Sequence, residues 1–195
     1  MLNNLLQDYT IVLGSNSPRR KQYLTDLGIS YINRASDIDE TYPQHLYKVE
    51  ITDFIASAKS QAIEIVDNKE IIITSDTLVW NEEKALGKPA NREEAYQMIK
   101  SMSNKTHEVI SSVCLRSTTK QRLFNVTTKV TFKPLTDQEI YYYIDTYKPY
   151  DKAGAYGIQE WIGLIGIKSI EGSYTNIVGL PTTELVQELI DFIQA

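Results

Sequence analysis

The sequence has few of the residues that build cross-linked or metal-stapled proteins. It contains one cysteine, Cys114, and two histidines, His45 and His107, among 195 residues. A single cysteine excludes an internal disulfide framework and a cysteine-rich zinc site, and it is typical of a chain kept in a reducing compartment. The two histidines lack metal-binding spacing and therefore indicate no histidine-based metal site.

Long apolar runs and an excess of basic residues are missing as well. No stretch approaches the roughly 18 apolar residues that a membrane span needs, so we expect no membrane partner. The first residues have no basic start and no long apolar stretch, unlike a signal peptide, which favours a cytoplasmic location. The formal net charge is −5, from 20 Lys and Arg against 25 Asp and Glu. This balance argues against a nucleic acid polymer as partner, because such binding depends on many basic residues.

The rest of the composition is that of a globular chain, with 42% hydrophobic and 23% charged residues. Short apolar strands alternate with amphipathic helices, and nothing in the composition marks a boundary between domains. The pattern predicts an α/β fold with a mixed β-sheet, and a single domain over residues 1–195.

The periodicity also predicts individual elements. We expect strands at 11–13 and 71–74, a helix over about 46–66, and a hairpin whose strands include 109–115 and 124–132. Helix caps are predicted at Ser17, Asn91 and Thr136, and a last helix is expected after Pro181.

A turn of small residues follows the first predicted strand and opens a helix, at Gly14-Ser15-Asn16-Ser17-Pro18-Arg19-Arg20. Free N–H groups and the positive end of the helix dipole make such a turn an anion site. The dipole disfavours cations in the first helical turn, so a bound polyanion would compensate Arg19 and Arg20. A capped surface helix with solvated arginines explains the residues equally well.

Asp76 follows the triple-isoleucine run Ile71-Ile72-Ile73. The carboxyl end of a buried strand is where open α/β sheets bind ligands. A carboxylate there is suited to accepting a proton from water or holding a divalent cation, although a turn or cap is the commoner use of Asp. Glu40 belongs to a second acidic stretch and is either a metal ligand or part of a solvated loop.

Two further segments combine glycine with lysine, Gly87-Lys88-Pro89 and Asp151–Gln159. Glycine lets a backbone approach a ligand closely, and the point charge of Lys152 is suited to phosphate. Taken singly, Lys88 and Lys152 are also explained as surface lysines.

Together these segments resemble the Maf family of nucleoside triphosphate pyrophosphatases. The family's motifs are matched in order along nearly the whole chain, at Ser15–Arg20, Ser75–Val79, Leu86–Pro89, Met102–His107, Asp151–Gln159 and Ile170–Pro181. The resemblance implies a twisted mixed sheet flanked by helices, with two lobes around a deep, ITPase-like cleft. Members are usually dimers, so a homodimer is among the expectations.

Within that family, the resemblance implies the branch that acts on dTTP and UTP, which Arg20, Thr77 and Gln159 mark. The implied reaction is attack of water on the α-phosphorus, which releases pyrophosphate and a nucleoside monophosphate. It implies a house-cleaning role against non-standard or excess nucleotides. One departure concerns selectivity, because Glu160 stands where glycine is usual and adds charge beside Gln159.

The resemblance also implies a role for each candidate residue. Asp76 is the expected catalytic residue that orients or deprotonates water, and Glu40 and Asp76 are expected to hold a divalent cation, Mg²⁺ or Mn²⁺. The implied substrate-binding residues are Ser15, Ser17, Arg19, Arg20, Lys59, Thr77, Lys88, Lys152 and Gln159.

Two rival functions remain open at this point. One is a non-catalytic nucleotide-binding regulator of septum formation, a class to which the family has also been linked; the presence of Asp76 favours the enzyme. The other is a metal-dependent phosphomonoesterase, which would release orthophosphate rather than pyrophosphate.

Overall fold

The computed structural model describes residues 2–194, in which helices and strands alternate along the chain. The helices are α1 (Leu2–Leu6), α2 (Pro18–Asp26), α3 (Val49–Gln61), α4 (Arg92–Met102), α5 (Asp137–Tyr147), α6 (Trp161–Gly166), α7 (Tyr174–Val178) and α8 (Thr182–Gln194). The strands are β1 (Thr10–Leu13), β2 (Tyr31–Asn33), β3 (Glu70–Asn81), β4 (Lys84–Leu86), β5 (Thr106–Arg116), β6 (Gln121–Phe132) and β7 (Ile167–Glu171). The longest helices of the described chain have 13 residues, and no helix there is long and apolar enough to cross a bilayer.

The strands form one mixed sheet in the order β2-β1-β3-β5-β6-β7, with β4 beside β3. Strand β1 pairs in parallel with both β2 and β3. The pairs β3–β4 and β6–β7 are antiparallel. The predicted α/β fold with a mixed sheet is therefore confirmed.

The described chain divides into two compact units whose segments are interleaved in sequence. The first unit consists of the chain up to Asp76, Ser111–Val126, and the chain from Gly179 onwards. The second consists of Thr77–Ile110 and Thr127–Val178. Nothing further bears on the single domain over residues 1–195 or on the deep cleft, and both stay predictions.

In the first unit, β1 and the start of β3 are buried on both faces. Ile11 and Ile73 contribute to a cluster that also contains Leu189 of α8. Val12 and Ile72 point to the opposite face and pack with Ile63. Because side chains alternate along a strand, an unbroken isoleucine run predicts this double burial.

The core of the second unit joins helices α4 and α5 to the sheet. Ile99 of α4, Ile140 and Ile144 of α5, and Phe132 of β6 are fully buried within one cluster. The apolar stripes that predicted these helices are thus the surfaces they bury.

Most predicted boundaries are confirmed by their hydrogen bonds. Ser17, Asn91 and Thr136 each accept a hydrogen bond from the backbone N–H three residues later, at the starts of α2, α4 and α5. The hairpin of β5 and β6 closes where Ser117 N donates to Lys120 O at 2.9 Å.

The predicted helix over 46–66 is wrong in its bounds, because α3 covers only Val49–Gln61. Its start is delayed because Lys48 has a φ of 48°, outside the helical region. At its end, Arg116 Nη2 donates to Ser60 O at 2.6 Å and also to Ile63 O, so a distant side chain hydrogen-bonds one carbonyl of the last turn and one just beyond the helix.

The predicted end of a strand at Thr74 is also wrong, because β3 continues to Asn81. The apolar run Leu78-Val79-Trp80 carries the extended chain onward, and β4 pairs with its last residues. Asp76 therefore lies inside a long strand rather than after its end.

Candidate active site

A small-residue turn follows β1 and is held by hydrogen bonds of its own. Gly14 N donates to Ile73 O at 2.8 Å, the last sheet-like bond of this segment. The buried Ser15 Oγ then accepts hydrogen bonds from Ser17 N at 3.2 Å and from Arg20 Nη1 at 3.3 Å. The turn and the first turn of α2 thus form one hydrogen-bonded structure.

Arg20 connects this turn to two other segments of the first unit. Its Nη1 donates to Ser75 O at 2.8 Å, and its Nε donates to Gly179 O at 2.8 Å. The pairing of β1 with β3 ends at Leu13 and Ile73, so the carbonyl of Ser75 lies beyond the paired segment. The guanidinium of Arg20 donates to this carbonyl in place of a strand N–H. Burial lowers the pKa of Arg20, and the Asp76 carboxylate opposes that shift.

Asp76 lies against a lysine that also contacts a second carboxylate. Lys59 Nζ of α3 is 2.8 Å from Asp76 Oδ1 and 2.8 Å from Glu40 Oε1. The side chains of Lys59 and Asp76 are each 12% exposed, whereas that of Glu40 is 47% exposed. Lys59 is therefore a largely covered partner of two carboxylates rather than a solvated surface lysine.

The same two carboxylates have the donor chemistry of a divalent cation site. Because both bind one ammonium, their oxygens converge on one region, and oxygen ligands suit Mg²⁺ and Mn²⁺. No group of three or more His, Cys, Asp or Glu residues suited to a metal occurs within residues 2–194. Two carboxylates are nevertheless the protein contribution that Mg²⁺ commonly uses beside substrate phosphates and water. Glu40 and Asp76 fit such a site.

In the second unit, the two glycine–lysine segments are joined by their backbones. Gly154 N donates to Gly87 O at 3.0 Å. Gly154 has a φ of 66°, and a Cβ there would lie 2.9 Å from Val79 Cγ2, so both conformation and packing require glycine. Lys88 and Lys152 are thereby carried on connected turns.

The two lysines differ in environment. Lys88 is exposed, whereas Lys152 is only 8% exposed. Lys152 Nζ lies 2.7 Å from Asp151 Oδ1 and 3.0 Å from Glu160 Oε1. The interpretation of Lys152 as a surface lysine is wrong.

A buried tyrosine of α5 completes this cluster. Tyr143 OH donates to Glu160 Oε2 and accepts a hydrogen bond from Gly157 N at 3.0 Å. Burial, followed by the nearby Glu160 carboxylate, raises the pKa of Tyr143. One signal was available, because a tyrosine on a buried helical face needs a partner for its hydroxyl.

The predicted site residues fall into both units. The first unit contains Ser15, Ser17, Arg19, Arg20, Glu40, Lys59 and Asp76. The second contains Thr77, Lys88, Lys152 and Gln159. Within the first unit, hydrogen bonds and ion pairs connect Ser15, Ser17 and Arg20, and separately Glu40, Lys59 and Asp76. The roles of all these residues stay predictions.

Comparison with known proteins gives a consistent result. Residues 10–192 match the family model described as Maf-like protein. A dTTP/UTP pyrophosphatase of Flavobacterium johnsoniae is 53% identical over 99% of this chain and 100% of that protein. Proteins with the same name from Christiangramia forsetii and Bacteroides fragilis are each 50% identical, over 100% and 97% of this chain and 100% and 98% of their own lengths.

A solved structure supports the fold independently. A HAM1 protein from Coxiella burnetii matches with a TM-score of 0.51 at 14% identity, covering 94% of this chain and 99% of that one. At this identity the similarity concerns the fold alone.

Proposed function

The chain belongs to the Maf-like protein family, and we propose that it hydrolyses nucleoside triphosphates to the monophosphate and pyrophosphate, with dTTP and UTP preferred. The observation that carries this proposal is the cluster of Asp76, Lys59 and Glu40 in a chain about half identical to dTTP/UTP pyrophosphatases over its full length. None of the observations favours the septum regulator or the phosphomonoesterase.

In this proposal Asp76 is the catalytic carboxylate. It orients or deprotonates the water that attacks the α-phosphorus, and the leaving group is pyrophosphate. Lys59 Nζ, 2.8 Å from Asp76 Oδ1, keeps the carboxylate in place. An ionised carboxylate is the form that can accept a proton from water.

We assign a divalent cation, Mg²⁺ or Mn²⁺, to Glu40 and Asp76. Bound there, it would neutralise charge on the phosphate oxygens. Lys59 already contacts both carboxylates. A cation bound there would take over part of the neutralisation of their negative charge that Lys59 provides.

The triphosphate, with about four negative charges, needs a cationic environment that an acidic protein must supply locally. We assign phosphate contacts to Ser15, Ser17 and Arg19 on the turn after β1, and to Lys59, Lys88 and Lys152. The N-terminus of α2, a helix of nine residues, adds backbone N–H groups to the first group.

Base selection is assigned to Arg20, Thr77 and Gln159. Thymine and uracil present two carbonyls and one N–H, and an amide side chain both donates and accepts, so Gln159 matches this edge. Cytosine has an amino group in place of one carbonyl and lacks that N–H. A hydrogen-bonding group that the bound base covers and leaves mismatched costs about 1–3 kcal/mol, which is enough to separate dTTP from dCTP.

The test of the reaction is Asp76→Asn, with pyrophosphate and orthophosphate measured separately from dTTP. Removing a general base typically lowers the rate by ~10² to 10⁴, while the neighbouring phosphate contacts are retained. Asp191→Asn, at an exposed position of α8, is the matched control and should leave turnover unchanged. Near-normal turnover of Asp76→Asn, or release of orthophosphate alone by the wild type, would contradict the proposal.

The division between phosphate and base contacts is tested separately. Arg19→Ala should lower kcat/KM for dTTP, UTP, dCTP and dGTP by similar factors, because all four substrates carry the triphosphate. Gln159→Ala and Arg20→Ala should change the ratio of kcat/KM between these substrates. The same substrate profile in all three variants would contradict the assignment.

We also propose that the enzyme acts in the cytoplasm as a homodimer, without a membrane or a nucleic acid polymer as partner. Cys114 is buried and unpaired, which suits a reducing compartment. Sedimentation equilibrium of the purified chain tests the dimer, and a monomeric mass at micromolar concentration would exclude it.

A further inference from the structure

The turn Gly157–Glu160 carries Gln159, and both of its ends are tied to one buried atom. Tyr143 OH accepts a hydrogen bond from Gly157 N at 3.0 Å and donates to Glu160 Oε2. Glu160 N also donates to Gly157 O at 3.0 Å, which closes the turn on itself. Tyr143 is fully buried in α5, so the turn is anchored to the core rather than to another loop.

The second oxygen of the same carboxylate contacts Lys152. Glu160 Oε1 lies 3.0 Å from Lys152 Nζ, and the two side chains are 19% and 10% exposed. Both pass close over Gly157, where a Cβ would lie 2.9 Å from Glu160 Cδ and 3.0 Å from Lys152 Cε. Gly157 therefore allows Glu160 to fold back over its own turn.

We propose that Glu160, acting with Tyr143, is a positioning residue for base selection. It holds the turn that presents Gln159 and connects that turn to Lys152. The inference rests on the proposed function, because it concerns how the base contact assigned there is kept in register. Gln159 itself is exposed, so the rigidity of its backbone has to come from its neighbours.

A carboxylate suits this position because two donors reach its two oxygens. Tyr143 OH and Lys152 Nζ occupy Oε2 and Oε1 respectively. Glycine, the residue usual here in the family that the sequence resembles, would leave both donors without this partner. An amide offers one acceptor oxygen, so Glu160→Gln keeps the size of the side chain and loses one of the two contacts.

The experiment measures the ratio of kcat/KM for dTTP to kcat/KM for dCTP. Both values come from one preparation, so the folded fraction cancels and a purely structural loss does not change the ratio. We expect the ratio to fall roughly tenfold in Glu160→Ala and in Tyr143→Phe, and less in Glu160→Gln, because a loosened hydrogen-bonding site loses discrimination. Glu93→Ala, at an exposed position of α4 in the same unit, is the matched control and should leave the ratio unchanged.

A double variant tests whether Glu160 acts through Gln159. If it does, Gln159→Ala with Glu160→Ala has the same ratio as Gln159→Ala alone, because the contact being positioned is already gone. Additive losses in the double variant would overturn the inference. Tyr143→Phe and Glu160→Gln keep the test available if Glu160→Ala does not fold.

The outcomes separate the inference from the function on which it rests. A wild type that releases no pyrophosphate from dTTP contradicts the proposed function. A wild type that prefers dTTP, with a ratio unaffected by Glu160→Ala and Tyr143→Phe, overturns the positioning role alone. Inhibition by inorganic tripolyphosphate, which has no base, reports the phosphate contacts. In Glu160→Ala and Tyr143→Phe, we expect the inhibition constant of tripolyphosphate to change by a smaller factor than the ratio of kcat/KM for dTTP to that for dCTP. A larger change in the inhibition constant than in that ratio would also overturn base selection as the role of Glu160.

Discussion

His107 is a buried histidine in the second unit, and its burial predicts a specific sensitivity to acid. The residue is 2% exposed. One ring nitrogen, Nε2, shares a hydrogen bond of 2.8 Å with Tyr156 OH, and Nδ1 has no hydrogen-bond partner among residues 2–194. The ring packs edge-on against Phe132 and Tyr156. Among residues 2–194, no charged group offsets the effect of this burial on the pKa of His107.

The size of the expected loss of stability in acid follows from the shift in the pKa of His107. Burial lowers the pKa of His107 from 6.5 to about 4. As the pH falls below 6.5, the unfolded chain binds a proton that the folded chain does not, so the free energy of unfolding decreases until about pH 4 and then levels off. At about 1.4 kcal/mol per pH unit, the loss across this window is about 3 kcal/mol.

The assay is urea unfolding monitored by tryptophan fluorescence at pH values from 4 to 7. Both tryptophans, Trp80 and Trp161, lie in the second unit, so the signal reports the unit that contains His107. His107→Gln keeps a hydrogen-bonding group near Tyr156 OH and removes the titration. With an m-value of about 3 kcal/mol/M, the urea midpoint of the wild type should fall by about 1 M more between pH 6.5 and 4 than that of His107→Gln.

The comparison between variants isolates His107 from the acidic groups, because these titrate in both proteins. His45→Gln, at an exposed position, is the control and should follow the wild type. If His107→Gln and the wild type lose stability equally between pH 6.5 and 4, the reasoning about burial is refuted.

Three further changes test local features by their effect on urea unfolding, which circular dichroism monitors. Glu70→Gln should cost about 3 kcal/mol at neutral pH, because its carboxylate, 3% exposed, binds Arg34 at 2.8 Å. The hydrogen bond from Arg34 lowers the pKa of Glu70. This stabilisation is therefore present above the ordinary pKa of 4.5 and is lost as the pH falls through the lowered value. An equal loss of stability in acid for Glu70→Gln and the wild type would exclude it. Gly154→Ala should cost more than about 1 kcal/mol because of its positive φ and the contact with Val79, and an unchanged midpoint would contradict that. Thr136→Ala should cost about 1 kcal/mol through loss of the capping box, whereas Thr119→Ala in the exposed hairpin turn should have little effect.

Much of the fold was predictable because its signals are local. The cap at Ser17, the capping box at Thr136 and the apolar stripes of α4 and α8 depend on residues within one or two helical turns, and the structure confirms them. The bounds of α3 and β3 were not predictable in this way. The end of α3 is satisfied by Arg116, more than fifty residues away, and β3 extends beyond Thr74 because β4 pairs with it.

The candidate site shows the same limit. Motif residues such as Asp76 and Lys152 were identifiable because their segments match the family's pattern, but their partners were not. Tyr143 lies on the buried face of α5, and the spacing of apolar residues carries no information on which atom its hydroxyl binds. That partner, Glu160, is 17 residues away.

By itself, the sequence determined the α/β class, the starts of α2, α4, α5 and α8, the order of the motifs and the family to which they belong. These properties depend on residue type and on spacing along the chain, both of which are explicit in the sequence. Only the tertiary structure decided that Lys59 lies between Asp76 and Glu40, and that Lys152 is buried against Glu160. A lysine in the sequence has the same charge whether it is solvated or buried; its neighbours in space determine what that charge does, and folding brings them together from distant segments.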